Sequence, residues 1–165
     1  YYASYDDLIN GWPPENVDRA VVQGVEVATG VMPVPALKSL WLNVTGAYTT
    51  TEDKETGESL YYRPEYTGFV EAAYKWANDS GWAFTPSLSA ELVGAQDYPY
   101  TDPQTFETIR ETLAGYVVGN ARVGVGYRGM EVFGAVKNLA DREYQTVYDY
   151  PMPGRVYSAG INLDF

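Results

Sequence analysis

Six stretches of this chain alternate apolar and polar residues with a period of two, and no other feature limits the fold so strongly. Between Leu40 and Thr49, one set is Leu40, Leu42, Val44, Gly46 and Tyr48, and the other contains Asn43, Thr45 and Thr49. Residues 69–76 set Val70, Ala72, Tyr74 and Trp76 against Phe69, Glu71, Ala73 and Lys75. Residues 82–92 set Trp82, Phe84, Pro86, Leu88, Ala90 and Leu92 against Ala83, Thr85, Ser87, Ser89 and Glu91. The same pattern runs through 117–127, 130–137 and 157–165. Across the six stretches the apolar sets hold 30 residues and no Asp, Glu, Lys or Arg. Side chains of a strand point alternately to opposite faces, so this period predicts strands with one apolar and one polar face. A Val-rich stretch from Arg19 to Val31, with Glu26 on the polar side, and a short polar stretch from Tyr1 to Asn10 raise the expected count to eight strands.

The connections differ in length. Short ones fall near 33–39, 77–81 and 128–129, and mostly longer polar ones near 11–17, 50–67, 94–114 and 139–154. After the first pair, short and long alternate. An antiparallel up-and-down transmembrane β-barrel has this arrangement, with short turns on one side of the membrane and long loops on the other. Trp76, Trp82, Tyr127 and Phe165 sit on apolar sets at the short-turn end, and Tyr48 and Tyr157 toward the long-loop end. Aromatic residues at both ends of an apolar band are the girdles of a lipid-facing barrel wall. A soluble barrel with an apolar core has no reason to place its Trp and Tyr at its rims. Pro86 dissents, because proline cannot donate a ladder hydrogen bond, and a bulge or local twist is expected there.

Composition excludes much chemistry. The 165 residues include no His and no Cys, which removes Ser-His-Asp and Cys-His nucleophile systems, ordinary zinc sites and disulfides. The formal charge of -11 argues against a nucleic-acid partner. No stretch of 18 apolar residues forms a transmembrane helix. The start, Tyr1-Tyr2-Ala3-Ser4-Tyr5, lacks the features of a signal peptide and an initiator Met, so the chain reads as a mature product or a fragment. Gly124-Val125-Gly126-Tyr127-Arg128-Gly129 matches a dinucleotide-binding fingerprint by spelling, with residues 130–143 as a weak candidate helix, but Pro151 and Pro153 interrupt any second βαβ unit. Small residues where a strand bends into a tight turn explain it better. Asn43-Val44-Thr45 and Asn78-Asp79-Ser80 are glycosylation sequons by pattern alone. The carboxylates Asp6, Asp7, Glu52, Asp53, Glu55 and Glu58 show no spacing that selects a catalytic pair or a Ca²⁺ loop. The expectation is no enzyme, no cofactor and no metal.

The last strand, Ser158 to Phe165, alternates and ends on an aromatic. It resembles the C-terminal recognition signal of outer-membrane barrels, with Ser158, Gly160, Leu163 and Phe165 as its elements. Val136-Lys137-Asn138-Leu139-Ala140-Asp141-Arg142-Glu143-Tyr144 resembles the V-x-N-L-F-D-x-x-Y run of TonB-dependent outer-membrane receptors, departing at Ala140. Tyr150 to Arg155 is similar to that family's Y-x-x-P-G-R. Asn16-Val17-Asp18-Arg19-Ala20 followed by Gly24-Val25-Glu26, and Thr56-Gly57-Glu58-Ser59-Leu60 with Arg63-Pro64, resemble two further family segments.

The resemblance implies a 22-stranded barrel with a plugged lumen, of which residues 1–165 are the last eight strands, without plug or TonB box. It implies uptake of iron-siderophore complexes or cobalamin across the outer membrane of a Gram-negative cell, energised by TonB through the absent plug. The implied partners are outer-membrane lipid and lipopolysaccharide, the barrel assembly machinery and the rest of the receptor. Candidate ligand-binding aromatics in the outer loops are Trp12, Tyr98, Tyr100, Tyr144, Tyr148 and Tyr150. Glu26, Glu71, Glu91, Arg122, Glu131 and Lys137 are expected on the lumen-facing polar side, lining the interior or touching the plug. The alternative is a complete eight-stranded barrel acting as a pore or adhesin, since eight strands can close around their own side chains.

Overall fold

The computed structural model describes residues 19–33 and 39–163. The expected strand at Tyr1–Asn10, Trp12, Asp164 and Phe165 lie outside the described residues. Within them the chain is antiparallel β-structure: β1 (Ala20–Val31), β2 (Leu40–Asp53), β3 (Tyr66–Tyr74), β4 (Trp76–Ala77), β5 (Trp82–Val93), β6 (Gln96–Thr101), β7 (Thr108–Leu113), β8 (Tyr116–Tyr127), β9 (Met130–Lys137), β10 (Gln145–Val147), β11 (Tyr150–Pro151) and β12 (Val156–Leu163). No described helix is long and apolar enough to cross a membrane. The main sheet is a meander in the order β1-β2-β3-β5-β8-β9-β12, with β4 continuing β3 along β5. Two small hairpins, β6–β7 and β10–β11, stand apart from it.

The register carries the two-residue period across the whole sheet. Leu42 lies opposite Val31 and Ala72, Ala72 opposite Leu88, Leu88 opposite Ala121, Ala121 opposite Val136, and Val136 opposite Tyr157. The apolar sets of separate strands therefore join into one face. Val25, Leu88, Ile161 and Tyr157 on that face are 60–70% exposed. Tyr98 and Val118 are the only large buried apolar side chains among the described residues, and neither is fully buried. A single layer with a continuous bare apolar face has a hydrocarbon solvent on that side, because an apolar area of this extent in water would drive association. The 12-residue strands β1, β5 and β8 are long enough to cross a bilayer. Trp82 packs on Tyr127 with ring centroids 4.7 Å apart at the short-turn end, and Tyr48 pairs with Tyr66 at the other. β1 and β12 are the two edges of the described sheet, so it is an open arc rather than a closed cylinder.

Three local readings change. Pro86 produces no bulge. Ala73 opposes Ser87 and Trp76 opposes Phe84 in one constant register, and the β5–β8 ladder runs unbroken through Pro86 and Val123. The strand next to β5 instead pauses between β3 and β4, at Lys75, whose amide donates to the Ser39 carbonyl. Proline's missing N–H thus removes a stretch of pairing without shifting the strands. Residues 130–137 are strand β9, so the glycine fingerprint has no helix to feed. Arg128 and Gly129 both have positive φ and form the two-residue β8–β9 turn, which a type I′ hairpin requires. Finally, the region 94–114 is not an irregular loop. Gln96 opposes Leu113 in the register that already pairs Val93 with Tyr116, so β6 and β7 extend β5 and β8 beyond the sheet. Strand pairing is interrupted at residues 94–95 and 114–115. A Cβ on Gly115 would meet the Val93 carbonyl at 2.6 Å, and one on Gly94 would meet the Tyr66 ring at 3.0 Å.

Candidate functional site

The β6–β7 hairpin contacts the two neighbouring outer loops, and the three pieces meet beyond the end of the sheet. Arg110 on β7 is the polar centre. Its guanidinium donates to Asp97 on β6 at 2.9 Å, to Glu58 at 2.8 Å and to the Ser59 carbonyl at 3.0 Å, and it lies 4.4 Å over the Tyr61 ring. Thr112 adds a hydrogen bond to Asp97 at 3.0 Å, and the Tyr62 amide donates to the Asp97 carbonyl at 2.8 Å. The Arg110 guanidinium bound to Asp97 holds its carboxyl below the usual carboxylate range, against the opposing effect of partial burial.

The apolar centre is aromatic. Tyr98 stacks on Tyr148 with centroids 4.5 Å apart and planes 12° apart, and Tyr62 lies 6.4 Å from its centroid. Tyr100 meets Tyr148 edge-on at 5.9 Å. Burial of Tyr98 among these neighbours pushes its phenol above its ordinary value. The Gln96 side chain donates to the Thr146 carbonyl at 2.8 Å, joining the hairpin to the third loop.

That third loop is tied at its base by the residues of the sequence motif. Asn138 is 3% exposed and has a left-handed backbone. Its side-chain amide donates to the carbonyls of Arg142 and Pro153, and its side-chain oxygen accepts from the Arg142 amide at 2.9 Å. Asp141 accepts from the Arg155 amide at 2.6 Å, and the Arg155 side chain donates to the Leu139 carbonyl at 3.0 Å. A Cβ on Gly154 would sit 2.6 Å from the Asp141 carboxylate, so glycine is what lets the loop's two ends close together. The motif is a structural clamp.

Of the aromatics selected from sequence, Tyr98, Tyr100 and Tyr148 come together. Tyr144 instead packs on Tyr116, with centroids 4.5 Å apart. Tyr150 is 71% exposed and outside the stack. Tyr61, Tyr62 and Arg110 complete the cluster and were not selected. The alternation of Gln96, Tyr98 and Tyr100, opposite Thr108–Leu113, was the available signal for the hairpin that carries Arg110.

The polar face of the sheet holds the second constellation. Arg122 pairs with Glu131 at 2.8 Å and lies 4.4 Å over the Phe133 ring. Thr85 and Asn162 also donate to Glu131, at 2.8 and 2.9 Å, so four neighbouring strands share one carboxylate. Gly124 and Gly160 make room: a Cβ on Gly160 would lie 2.6 Å from the Phe133 ring, and one on Gly124 would collide with Glu131. Glu71 accepts from Asn43 at 3.1 Å. Glu26 and Glu91 line one recess with Thr45 and Phe69, and Lys137 ends β9 opposite Val156. Ser158, Gly160 and Leu163 lie on edge strand β12. Among the described residues no group of three or more carboxylates is arranged to hold a metal ion.

A single-layer amphipathic sheet, long hairpins above one rim and a braced polar face define a membrane-barrel wall. Residues 1–139 match the family described as TonB dependent receptor-like, beta-barrel, and the chain belongs to that family. It therefore forms part of the wall of an outer-membrane barrel. The family consists of transport receptors rather than enzymes. The chain is 26% identical over 162 residues to the ferric enterobactin receptor PirA of Pseudomonas aeruginosa, covering 91% of this chain and 21% of that protein. Among solved structures it resembles P. aeruginosa FpvA bound to heterologous pyoverdines, with a TM-score of 0.72 and 15% identity, over 88% of this chain and 20% of that one. The ferric yersiniabactin uptake receptor FyuA of Yersinia pestis superposes with a TM-score of 0.65 at 20% identity, over 88% and 24%. The chain thus spans about a fifth of the length of the curated relative it matches.

Proposed function

We propose that residues 1–165 are the C-terminal part of a receptor barrel, the last eight of 22 strands, and that the intact receptor takes up iron-siderophore complexes with energy delivered by TonB through a plug outside this chain. The observation that carries this reading is the open seven-strand arc with its clamped outer hairpins, which superposes on a fifth of a receptor with bound pyoverdine. Relatives named for ferric siderophores favour that cargo over cobalamin, the other cargo allowed by the motifs. The outer aromatic cluster contributes to ligand contact through Tyr100 and Tyr148, while Tyr98 supports them from beneath. Tyr144 and Tyr150 remain candidate ligand contacts on neighbouring outer loops, and Trp12 remains a candidate outside the described residues.

The polar face lines the lumen. Glu131 and Arg122 brace the wall, and Glu26, Glu71, Glu91 and Lys137 are available to water or plug. The apolar face meets lipid and lipopolysaccharide, and β12 with Phe165 is read by the barrel assembly machinery. Titration of the intact receptor with ferric siderophores and with cobalamin tests the cargo. Saturable binding of a ferric siderophore is the expected result, and binding of neither class defeats the proposal. A complete eight-stranded pore or adhesin is the rival, and membership of a receptor family with a relative about five times as long weighs against it.

A further inference from the structure

The outer surface built by this chain is acidic, and two of its basic groups, Lys54 and Arg110, are held in ion pairs. Residues 50–67, 94–114 and 139–154 carry formal charges of -3, -3 and -2. Lys54 is paired with Glu52 at 2.7 Å. Arg110 is divided between Asp97 and Glu58. Arg142 donates to the Gly115 carbonyl at 3.3 Å, and Arg155 to the Leu139 carbonyl. Arg63 lines a recess together with Glu65 and Asp97. Arg19 opens edge strand β1, three strands away from the β5–β8 pair that carries the hairpin. Arg63, Arg142 and Arg155 make no ion pair among the described residues, and neither do the more numerous carboxylates Glu55, Glu65, Glu107, Glu111, Glu143 and Asp149. Between the loops stands a neutral aromatic stack, Tyr98, Tyr100 and Tyr148, with Tyr148 still 42% exposed.

Such a surface discriminates by ligand charge. A ferric ion held by three catecholates carries three net negative charges; one held by three hydroxamates is neutral. A trianion needs unpaired Arg or Lys to replace its water, and here unpaired carboxylates outnumber the unpaired Arg side chains. A neutral chelate meets phenol faces without that cost. We propose that the outer face formed by this chain selects a ferric chelate without net negative charge, of the hydroxamate type, over a ferric tris-catecholate. This rests on the siderophore reading given above and names its substrate class. The likeness to a ferric enterobactin receptor, at 26% identity over a fifth of that protein, does not carry its ligand to this chain.

The test uses the intact receptor in detergent, titrated with a ferric tris-hydroxamate and a ferric tris-catecholate at low and high salt, with intrinsic fluorescence quenching as the readout. The hydroxamate complex should bind about tenfold or more tightly at low salt, and the gap should narrow as salt screens the carboxylates. A variant with Glu107→Gln, Glu111→Gln, Glu143→Gln and Asp149→Asn should strengthen catecholate binding and leave hydroxamate binding within about twofold. Catecholate binding as tight as hydroxamate binding, or indifferent to these four substitutions, overturns the charge inference and leaves the siderophore reading standing. Binding of neither chelate overturns both.

Discussion

Asn138 and Gly160 do more than their size suggests. Asn138 satisfies three backbone groups from inside the wall's outer rim while holding a left-handed conformation that asparagine tolerates better than most residues. Replacing it with alanine leaves those groups unpaired and should cost about 1–3 kcal/mol. The expected sign is faster hydrogen exchange at the Arg142 amide and faster proteolysis within 139–154. Asn138→Gly relieves the backbone but restores no hydrogen bond, so it should be nearly as damaging. At Gly160 the constraint is steric. Gly160→Val drives three extra carbons toward the Phe133 ring and should lower the yield of folded, heat-modifiable receptor. Adding Phe133→Ala should recover much of that yield; a double variant no better than the single would show that the ring is not the obstacle. The same reasoning separates what could be read from the residue string. Asn138, Asp141, Gly154 and Arg155 stood out as a motif, but their chemistry did not. Only the closed loop reveals that they bond to one another rather than to a ligand.

The β6–β7 hairpin is the element with the clearest pH dependence. Asp97 has a folded-state pKa below its unfolded value, so its contribution is complete above the ordinary aspartate pKa of about 3.9 and is lost as pH falls through the lower folded value. Acidification should therefore loosen the hairpin from the 54–65 loop, read by hydrogen exchange at the Tyr62 amide. Asp97→Asn should be loose at neutral pH already and flat across that acid range. Arg110→Ala should release the same contact at all pH values and expose the hairpin to protease. A protease-resistant Arg110→Ala receptor would contradict the bracing role.

This hairpin was hidden in the sequence because Pro99, Pro103 and the polar residues around them give a loop-like composition. What makes it a strand pair is continuity of register with β5 and β8, a non-local property. Pro86 is a similar case. Its chemical defect was visible, but whether the sheet answers with a bulge or a pause depends on the partner strand.

For the whole molecule, the charge-free apolar positions and two aromatic belts make the membrane wall legible before any coordinates. On the proposed reading, residues 1–165 alone should not refold in detergent into a closed, heat-modifiable barrel, because eight strands are only part of a 22-stranded circumference. A monomeric, heat-modifiable product of this length would support the small-barrel alternative instead. The sequence by itself determined the strand period, the apolar face, the sorting of short and long connections and the family motifs, since each depends on neighbouring residues along one chain. Tertiary structure alone decided that Tyr62, Tyr98, Tyr100 and Tyr148 meet, that Arg110 is shared between two acids, and that Glu131 gathers donors from three other strands. Those contacts join residues far apart in the chain, and their geometry is set by inter-strand register and by close backbone approaches at Gly94 and Gly115, which no local pattern encodes.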